Sequence, residues 1–111
     1  MKKITGSFKP LIFAFFLLLT ASLEAKVKYD KDAPQLAFAA QEIEAAIKEA
    51  GLEDLKVSLL IKADESSPEA YQIRVLDVKR VEIIGTDQNG AMYGGLEVAD
   101  RIRLGLPLED Q

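Results

Sequence analysis

Apolar residues recur at intervals of three and four over residues 33–50, the spacing of a helix with one apolar stripe. The stripe consists of Leu36, Ala40, Ile43, Ile47 and Ala50. Asp32 is predicted to cap this helix, with Gln35 completing a capping box and Pro34 in the first turn. Gly51 is predicted to end the helix in the left-handed conformation.

Four shorter segments alternate between apolar and polar residues, which predicts strands with one buried face. Their apolar positions are Val27 and Tyr29; Val57, Leu59 and Ile61; Tyr71, Ile73 and Val75; and Val81 and Ile83. Residues 64–69 are predicted to form a loop. Residues 76–79 are predicted to form a tight reversal, so the third and fourth strands should pair as an antiparallel hairpin.

A second helix is predicted after residues 85–90, with Gly105 as its stop. Its predicted core stripe is Met92, Leu96, Ala99 and Ile102. The predicted order is therefore β-α-β-β-β-α. Because each helix has a single stripe, both can cover one face of a mixed four-stranded sheet, which predicts an α/β fold, a two-layer sandwich.

If the first and second predicted strands are parallel, the helix between them should form a right-handed connection. The sheet face away from the helices carries apolar residues among polar ones, at Leu60, Leu76 and Ile84. We expect these positions to be free for contact with something outside this chain.

The amino end has the pattern of a secretory signal peptide. Lys2, Lys3 and Lys9 precede an apolar run over residues 11–19, and small and polar residues follow. The run is shorter than the roughly 20 residues of a membrane-spanning helix, so we expect no permanent membrane span. Cleavage after Ala25 is predicted, with cleavage after Ser22 as the alternative. The domain prediction is thus a signal peptide over 1–25 and one domain over 26–111, located in the periplasm or secreted.

Composition narrows the possible chemistry. The 111 residues allow one small domain, too short for a (β/α)₈ barrel. There is no His and no Cys, which removes the usual zinc ligands, the Ser-His-Asp and Cys-His nucleophile systems, and disulfides. The 14 Lys and Arg against 18 Asp and Glu give a net charge of −4. This acidic balance argues against a nucleic-acid partner.

The most conspicuous segment is the glycine-rich stretch at residues 85–95, where a strand gives way to a helix. A phosphate is often held at such a junction. A phosphate loop, however, requires Lys and then Ser or Thr after its second glycine, and here Ala91 and Met92 follow Gly90. We therefore interpret Gly94 and Gly95 as sites of close helix packing, and we predict that Asp87 caps the helix.

The remaining candidates favour surface roles. Acid-base chemistry needs two converging carboxylates, whereas the acidic residues are spread over predicted helix surface and loop: Glu42, Glu49, Glu53, Asp54 and Glu69. Arg101 and Arg103 suit the negative end of the second helix dipole. Tyr71 shares a face with Ile73 and Val75, so we expect it in the core. We predict no catalytic, cofactor-binding or metal-binding residues.

Three segments in this order resemble an accessory domain of bacterial glycoside hydrolases: residues 69–75 (EAYQIRV), 81–85 (VEIIG) and 90–105 (GAMYGGLEVADRIRLG). The resemblance is to the chitobiase/β-hexosaminidase domain 2-like, zincin-like fold that precedes the barrel of family 20 β-N-acetylhexosaminidases and family 67 α-glucuronidases. It covers residues 27–105. Its motifs, such as Tyr93-Gly94, are structural, and family catalysis resides in the barrel.

The resemblance implies an exported, noncatalytic domain that acts in carbohydrate degradation, with the catalytic barrel of a glycoside hydrolase as its partner. No family catalytic residue falls within this chain. The chain is then either a truncated product or a stand-alone relative. The alternative from the residues is a stand-alone periplasmic module that binds a glycan or another exported protein through the free sheet face.

Overall fold

The computed structural model describes residues 26–109. In chain order its elements are β1 (Val27–Lys28), α1 (Pro34–Ala50), β2 (Lys56–Ile61), β3 (Tyr71–Asp77), β4 (Arg80–Gly85) and α2 (Gln88–Leu104). The predicted α/β architecture is confirmed: one four-stranded sheet and two helices. The predicted signal peptide lies outside the described residues. Within residues 26–109, no helix is long and apolar enough to cross a membrane.

The four strands lie in the order β1-β2-β4-β3. β1 is parallel to β2 and β2 is parallel to β4, whereas β3 is antiparallel to β4. The sheet is therefore mixed, as predicted, and the predicted hairpin is present. A register irregularity between Val75 and Asp77 marks the approach to its turn.

The Asp77 carboxylate organises that turn. It accepts hydrogen bonds from the Lys79 backbone N–H at 2.8 Å and from Arg80 Nε at 2.9 Å. Both contacts favour the ionised form, so they lower the pKa of Asp77, with the bond from Lys79 as the larger cause. Val78 at the tip of the turn is left almost fully exposed.

The start of α1 differs from the prediction. The N-cap is Ala33, whose side chain makes no capping bond, and Asp32 is not the cap. Pro34 is the cause, because a residue before proline is disfavoured from helical geometry. Ala33 accordingly has extended backbone angles (φ −101°, ψ 105°). The helix therefore begins at Pro34, one residue later than a cap at Asp32 would place it, and the predicted capping box of Asp32 and Gln35 does not form.

The apolar stripe of α1 is mostly as predicted, but it is wider and ends earlier. Its buried residues are Leu36, Ala39, Ala40, Ile43, Ala46 and Ile47, while Ala50 is exposed. Ala50 lies in the last turn, beyond the region that α2 and the sheet cover. Gly51 ends the helix with φ 71°, as predicted.

The core lies between the two helices and the helix-facing side of the sheet. Its largest fully buried side chains come from α1, β2, β4 and α2: Leu36, Ile43, Ile47, Val57, Val81, Ile83 and Val98. No polar or charged residue among residues 26–109 is buried. The interior of this small domain is therefore held together by apolar packing.

The core stripe predicted for α2 is half wrong. Ala99 and Ile102 are buried, but Met92 and Leu96 are only partly so. The buried face instead runs through Gly90, Ala91, Gly94, Gly95, Val98, Ala99 and Ile102. The prediction followed large apolar side chains, whereas this helix buries a face made largely of small residues.

Close packing explains why those small residues are buried. A Cβ at Gly94 would lie 2.6 Å from Ile83 Cγ2 and 2.9 Å from Tyr71 Cδ2. A Cβ at Gly95 would lie 2.9 Å from the Cβ of Ala39 on α1. α2 therefore approaches both the sheet and α1 at distances that only glycine permits.

We expect Gly94→Val to destabilise the domain by more than about 1 kcal/mol through overpacking against Ile83 and Tyr71. This would lower the melting temperature by roughly 5 °C or more. Asp100→Val, at an exposed position of the same helix, serves as the control and should have little effect. Equal melting temperatures for the two variants would contradict the packing interpretation.

Candidate interaction surfaces

The glycine-rich junction between β4 and α2 is filled by the protein itself. A Cβ at Gly85 would overlap the backbone of Ala91, and a Cβ at Gly90 would overlap the carbonyl of Ala70. The backbone N–H of Gly90 donates to Asp87 Oδ1 at 2.7 Å. The packing interpretation of this segment is thus confirmed, and so is the prediction that Asp87 caps α2.

Asp87 has a second role that its position in the sequence did not indicate. Its Oδ2 accepts the backbone N–H of Glu69 at 2.9 Å, across 18 residues of chain. Glu69 is held at a φ of 58°, a left-handed conformation that is uncommon for a residue other than glycine. The cap of α2 therefore also fixes the loop between β2 and β3.

Thr86 joins the same loop to the end of β4. Its hydroxyl donates to the Ser67 carbonyl at 2.6 Å and accepts the Ala70 backbone N–H at 3.1 Å. Within the loop, Asp64 accepts the hydroxyl of Ser66 at 2.6 Å and its backbone N–H at 3.0 Å, which lowers the pKa of Asp64. The loop is thus tied to the end of β4 through Thr86 and holds a local turn at Asp64.

The five candidate carboxylates are dispersed. Glu42 and Glu49 on α1 both contact Arg103, at 3.6 and 3.4 Å, and Asp54 lies 3.9 Å from Lys79. Glu69 lies in the loop beyond β2, and Glu53 is exposed. Glu42 and Glu49 thus meet at an arginine, in ion pairs between the helices, and are not paired with each other across a cleft. Among residues 26–109, no group of three or more His, Cys, Asp or Glu could hold a metal ion.

Arg101 holds the segment after α2, a contact that the sequence did not indicate. Its Nη1 donates to the Leu108 carbonyl at 2.9 Å, and its Nε lies 3.1 Å from Glu97. Leu108 packs against the core. Besides its place at the negative end of the helix dipole, Arg101 therefore makes a specific contact that fixes the segment after α2.

The end of the domain where both helices finish and the β3–β4 hairpin turns, here called the lower end, carries four exposed apolar side chains. Its residues are Leu52, Val78, Leu104 and Leu106, which are 44%, 92%, 70% and 52% exposed. Leu52 and Val78 line a shallow cleft of about 400 Å³, and Leu104 and Leu106 line a separate one of about 420 Å³. Exposed apolar side chains gathered at one end of a domain make that end a candidate contact surface.

The sheet face away from the helices is a second, flatter surface. The register aligns Leu60 with Ile84 and Ile84 with Gln72. Leu60 and Leu76 are 43% and 44% exposed, and Ile84 is partly buried. Arg74 lies 3.7 Å from Glu82 on the same face. As expected, this face mixes apolar and polar side chains and is open in residues 26–109.

The aromatic side chains do not assemble into a platform. Tyr71 was predicted to be in the core, but it is 41% exposed, because it lies at the end of the edge strand β3 where α2 covers only part of the ring. Tyr93 and Phe38 are 43% and 51% exposed, on α2 and α1 respectively. Tyr29 is partly buried near β1.

No protein-family model matches the chain, and no curated protein matches it. Among solved structures, it is similar to that of a GH138 enzyme targeting pectin rhamnogalacturonan II. The TM-score is 0.59 at 23% sequence identity over 77% of this chain. The chain spans only 10% of the length of that enzyme. The domain therefore shares its fold with a small part of a much larger glycoside hydrolase.

Asp87 gives the fold a testable pH dependence. Hydrogen bonds from the backbone of Glu69, and then of Gly90, lower the pKa of its carboxyl. A carboxyl with a lowered pKa in the folded state stabilises the fold above its unfolded pKa of about 4. That stabilisation is lost as the pH falls through the folded-state value.

We therefore expect Asp87→Ala to lower the melting temperature at pH 7 by roughly 5 °C. The difference from the wild-type protein should shrink as the pH falls below about 4. Asp87→Asn keeps an oxygen to cap α2 but loses the charge, so its loss at pH 7 should be smaller. A difference between wild type and Asp87→Ala that stays constant from pH 7 to pH 3 would refute this role.

Proposed function

We propose that this chain is a noncatalytic N-terminal accessory domain of a secreted glycoside hydrolase, of the α-glucuronidase or β-N-acetylhexosaminidase type. The observation that carries the proposal is the fold that this chain shares with part of a glycoside hydrolase. The match covers only 10% of the length of that enzyme. A domain of this size within such an enzyme has the catalytic domain as a natural partner. The chain acts in carbohydrate degradation through that partner.

The arrangement of polar groups supports a noncatalytic role. Hydrolysis of a glycosidic bond by the common mechanism uses two carboxyl groups that flank the bond, about 5–10 Å apart. Here Glu42 and Glu49 face Arg103, Asp77 holds a turn and Asp87 holds a cap. These four carboxylates are thus engaged in contacts within the fold.

The lower end supports attachment to another domain. Leu104 and Leu106 immediately follow the buried part of α2, and Arg101 fixes the chain beyond them at Leu108. The apolar side chains are thereby presented on an ordered backbone, which lowers the entropic cost of docking. A glycoside hydrolase barrel with a complementary apolar patch is the partner that we assign to this surface.

The alternative is a stand-alone periplasmic module that binds a glycan or an exported protein. It is favoured by the open sheet face, where Leu60 and Leu76 are exposed beside Gln72 and the Arg74–Glu82 pair. A flat face of this composition offers hydrogen-bonding groups next to apolar area. The two functions use different surfaces, so variants separate them.

The experiment compares binding of the full chain to purified catalytic barrels of an α-glucuronidase and a β-N-acetylhexosaminidase from the same genome. We expect one barrel to bind. Val78→Asp combined with Leu104→Asp should weaken that binding at least about tenfold, because it places charge at two exposed apolar positions of the lower end. The melting temperature should be unchanged, since both side chains are exposed.

Gln41→Asp, an equivalent charge change on the exposed surface of α1, is the control and should leave binding unaltered. Binding of neither barrel would contradict the proposal. Loss of barrel binding through Leu60→Asp, with the lower-end variant unaffected, would place the docking site on the sheet face and contradict its assignment to the lower end.

A further inference from the structure

β3 is an edge strand with one free side. The sheet order places β4 on its other side. The backbone N–H of Thr86 donates to the Ala70 carbonyl at 2.9 Å, so even-numbered residues of this strand direct their backbone groups toward β4. Tyr71, Ile73 and Val75 therefore direct their N–H and C=O groups away from the sheet.

Nothing in residues 26–109 covers that free side. None of the loop and turn hydrogen bonds of the described chain involves the backbone of Tyr71, Ile73 or Val75. The opposite edge is protected differently, because β1 has only 2 residues, a usual way to blunt an edge. β3 has 7 residues and regular pairing from Tyr71 to Val75 before its irregularity. It is thus the edge available for strand pairing.

We propose that β3 pairs with β3 of a second copy of this chain, antiparallel about a two-fold axis at Ile73. In this register Ile73 lies opposite Ile73 of the second copy, and Tyr71 lies opposite Val75. Residues with outward-facing backbone groups then meet only residues of the same kind, so every such N–H and C=O from Tyr71 to Val75 gains a partner. The two sheets become one continuous sheet.

The side chains fit the same register. On the helix-facing side, Tyr71 pairs with Val75 of the second copy, an aromatic and β-branched pair of the kind that stabilises strand pairing. On the other side, Gln72 lies opposite Arg74 of the second copy, so an amide oxygen meets a guanidinium. Arg74 also lies 3.7 Å from Glu82 in its own sheet, which offsets its charge.

Neighbouring registers fit less well. A shift by one residue would set outward-facing groups against inward-facing ones and abolish the hydrogen bonds. A shift that centres the axis on Arg74 would place two arginines directly opposite each other, which is destabilising. A shift that centres it on Gln72 would move Val75 opposite Glu69, outside the strand. The chain thus specifies the register as well as the edge.

The first test is sedimentation velocity of the full chain over a dilution series, which should show a monomer–dimer equilibrium. Gln72→Lys places two like-charged pairs across the interface and should raise the dimer Kd by roughly fivefold. Gln72→Glu places Glu opposite Arg74 and should lower it. Gln41→Lys, the same substitution on the exposed surface of α1, should leave the Kd unchanged.

The second test reads the register directly, since the natural chain has no Cys. The Cα atoms of directly opposite residues outside the hydrogen-bonded pairs lie about 4.5 Å apart, within the range that a disulfide spans. Gln72→Cys mixed with Arg74→Cys should therefore form a covalent dimer under mild oxidation. Each variant alone should not, because identical positions are diagonal neighbours about 7–8 Å apart.

A chain that stays monomeric over the dilution series would overturn the proposal. So would a dimer whose Kd does not respond to the charge at position 72, or one in which the mixed cysteine variants cross-link no better than either alone. Melting temperatures of all variants should stay close to that of the natural chain, because positions 72 and 74 are exposed.

Discussion

The close approach of α2 to the sheet and to α1 is the constraint on which the rest of the structure depends. It requires glycine at positions 94 and 95, where any side chain would meet Ile83, Tyr71 or Ala39. With α2 seated there, its amino end falls beside the β2–β3 loop, so Asp87 can bond both Gly90 and Glu69. Its carboxyl end brings Arg103 to α1 and Arg101 to the segment after α2, at Leu108. The seating of α2 thus positions the β2–β3 loop at one end of the domain and the lower end at the other.

The sequence predicted most of the architecture because its signals are local. Alternation marked β2, β3 and β4, and Gly51 and Gly105 ended their helices where expected. The errors arose where a neighbouring residue or element overrode the local sequence pattern. Pro34 kept Ala33 extended and displaced the expected cap at Asp32. The buried face of α2 consists of small residues, which a search for large apolar side chains overlooks. Tyr71 lies at an edge that α2 only partly covers, so strand alternation alone placed it too deep.

The contacts that shape the surfaces were beyond prediction for a related reason. Asp87 and Glu69 are 18 residues apart, and Arg103 meets Glu42 across 61 residues. No spacing rule links such pairs, because they depend on how the elements are stacked. The same holds for the lower end, where Leu52, Val78 and Leu104 come from three segments that are distant in the sequence. The sequence also predicted that the carboxylates are dispersed over the surface. The structure shows what several of them contact: Asp77 in a turn, Asp87 in a cap, and Glu42 and Glu49 in ion pairs.

Exposed apolar surfaces and carboxylates engaged in caps, turns and ion pairs are the basis of our proposal of a supporting role beside a catalytic domain. The most direct test is turnover of aryl β-N-acetylglucosaminides and glucuronoxylan oligomers by the purified full chain alone. The expected result is no hydrolysis above the uncatalysed rate. Hydrolysis that copurifies with the chain and is lost on substitution of one of its own carboxylates, with the fold intact, would contradict the noncatalytic assignment.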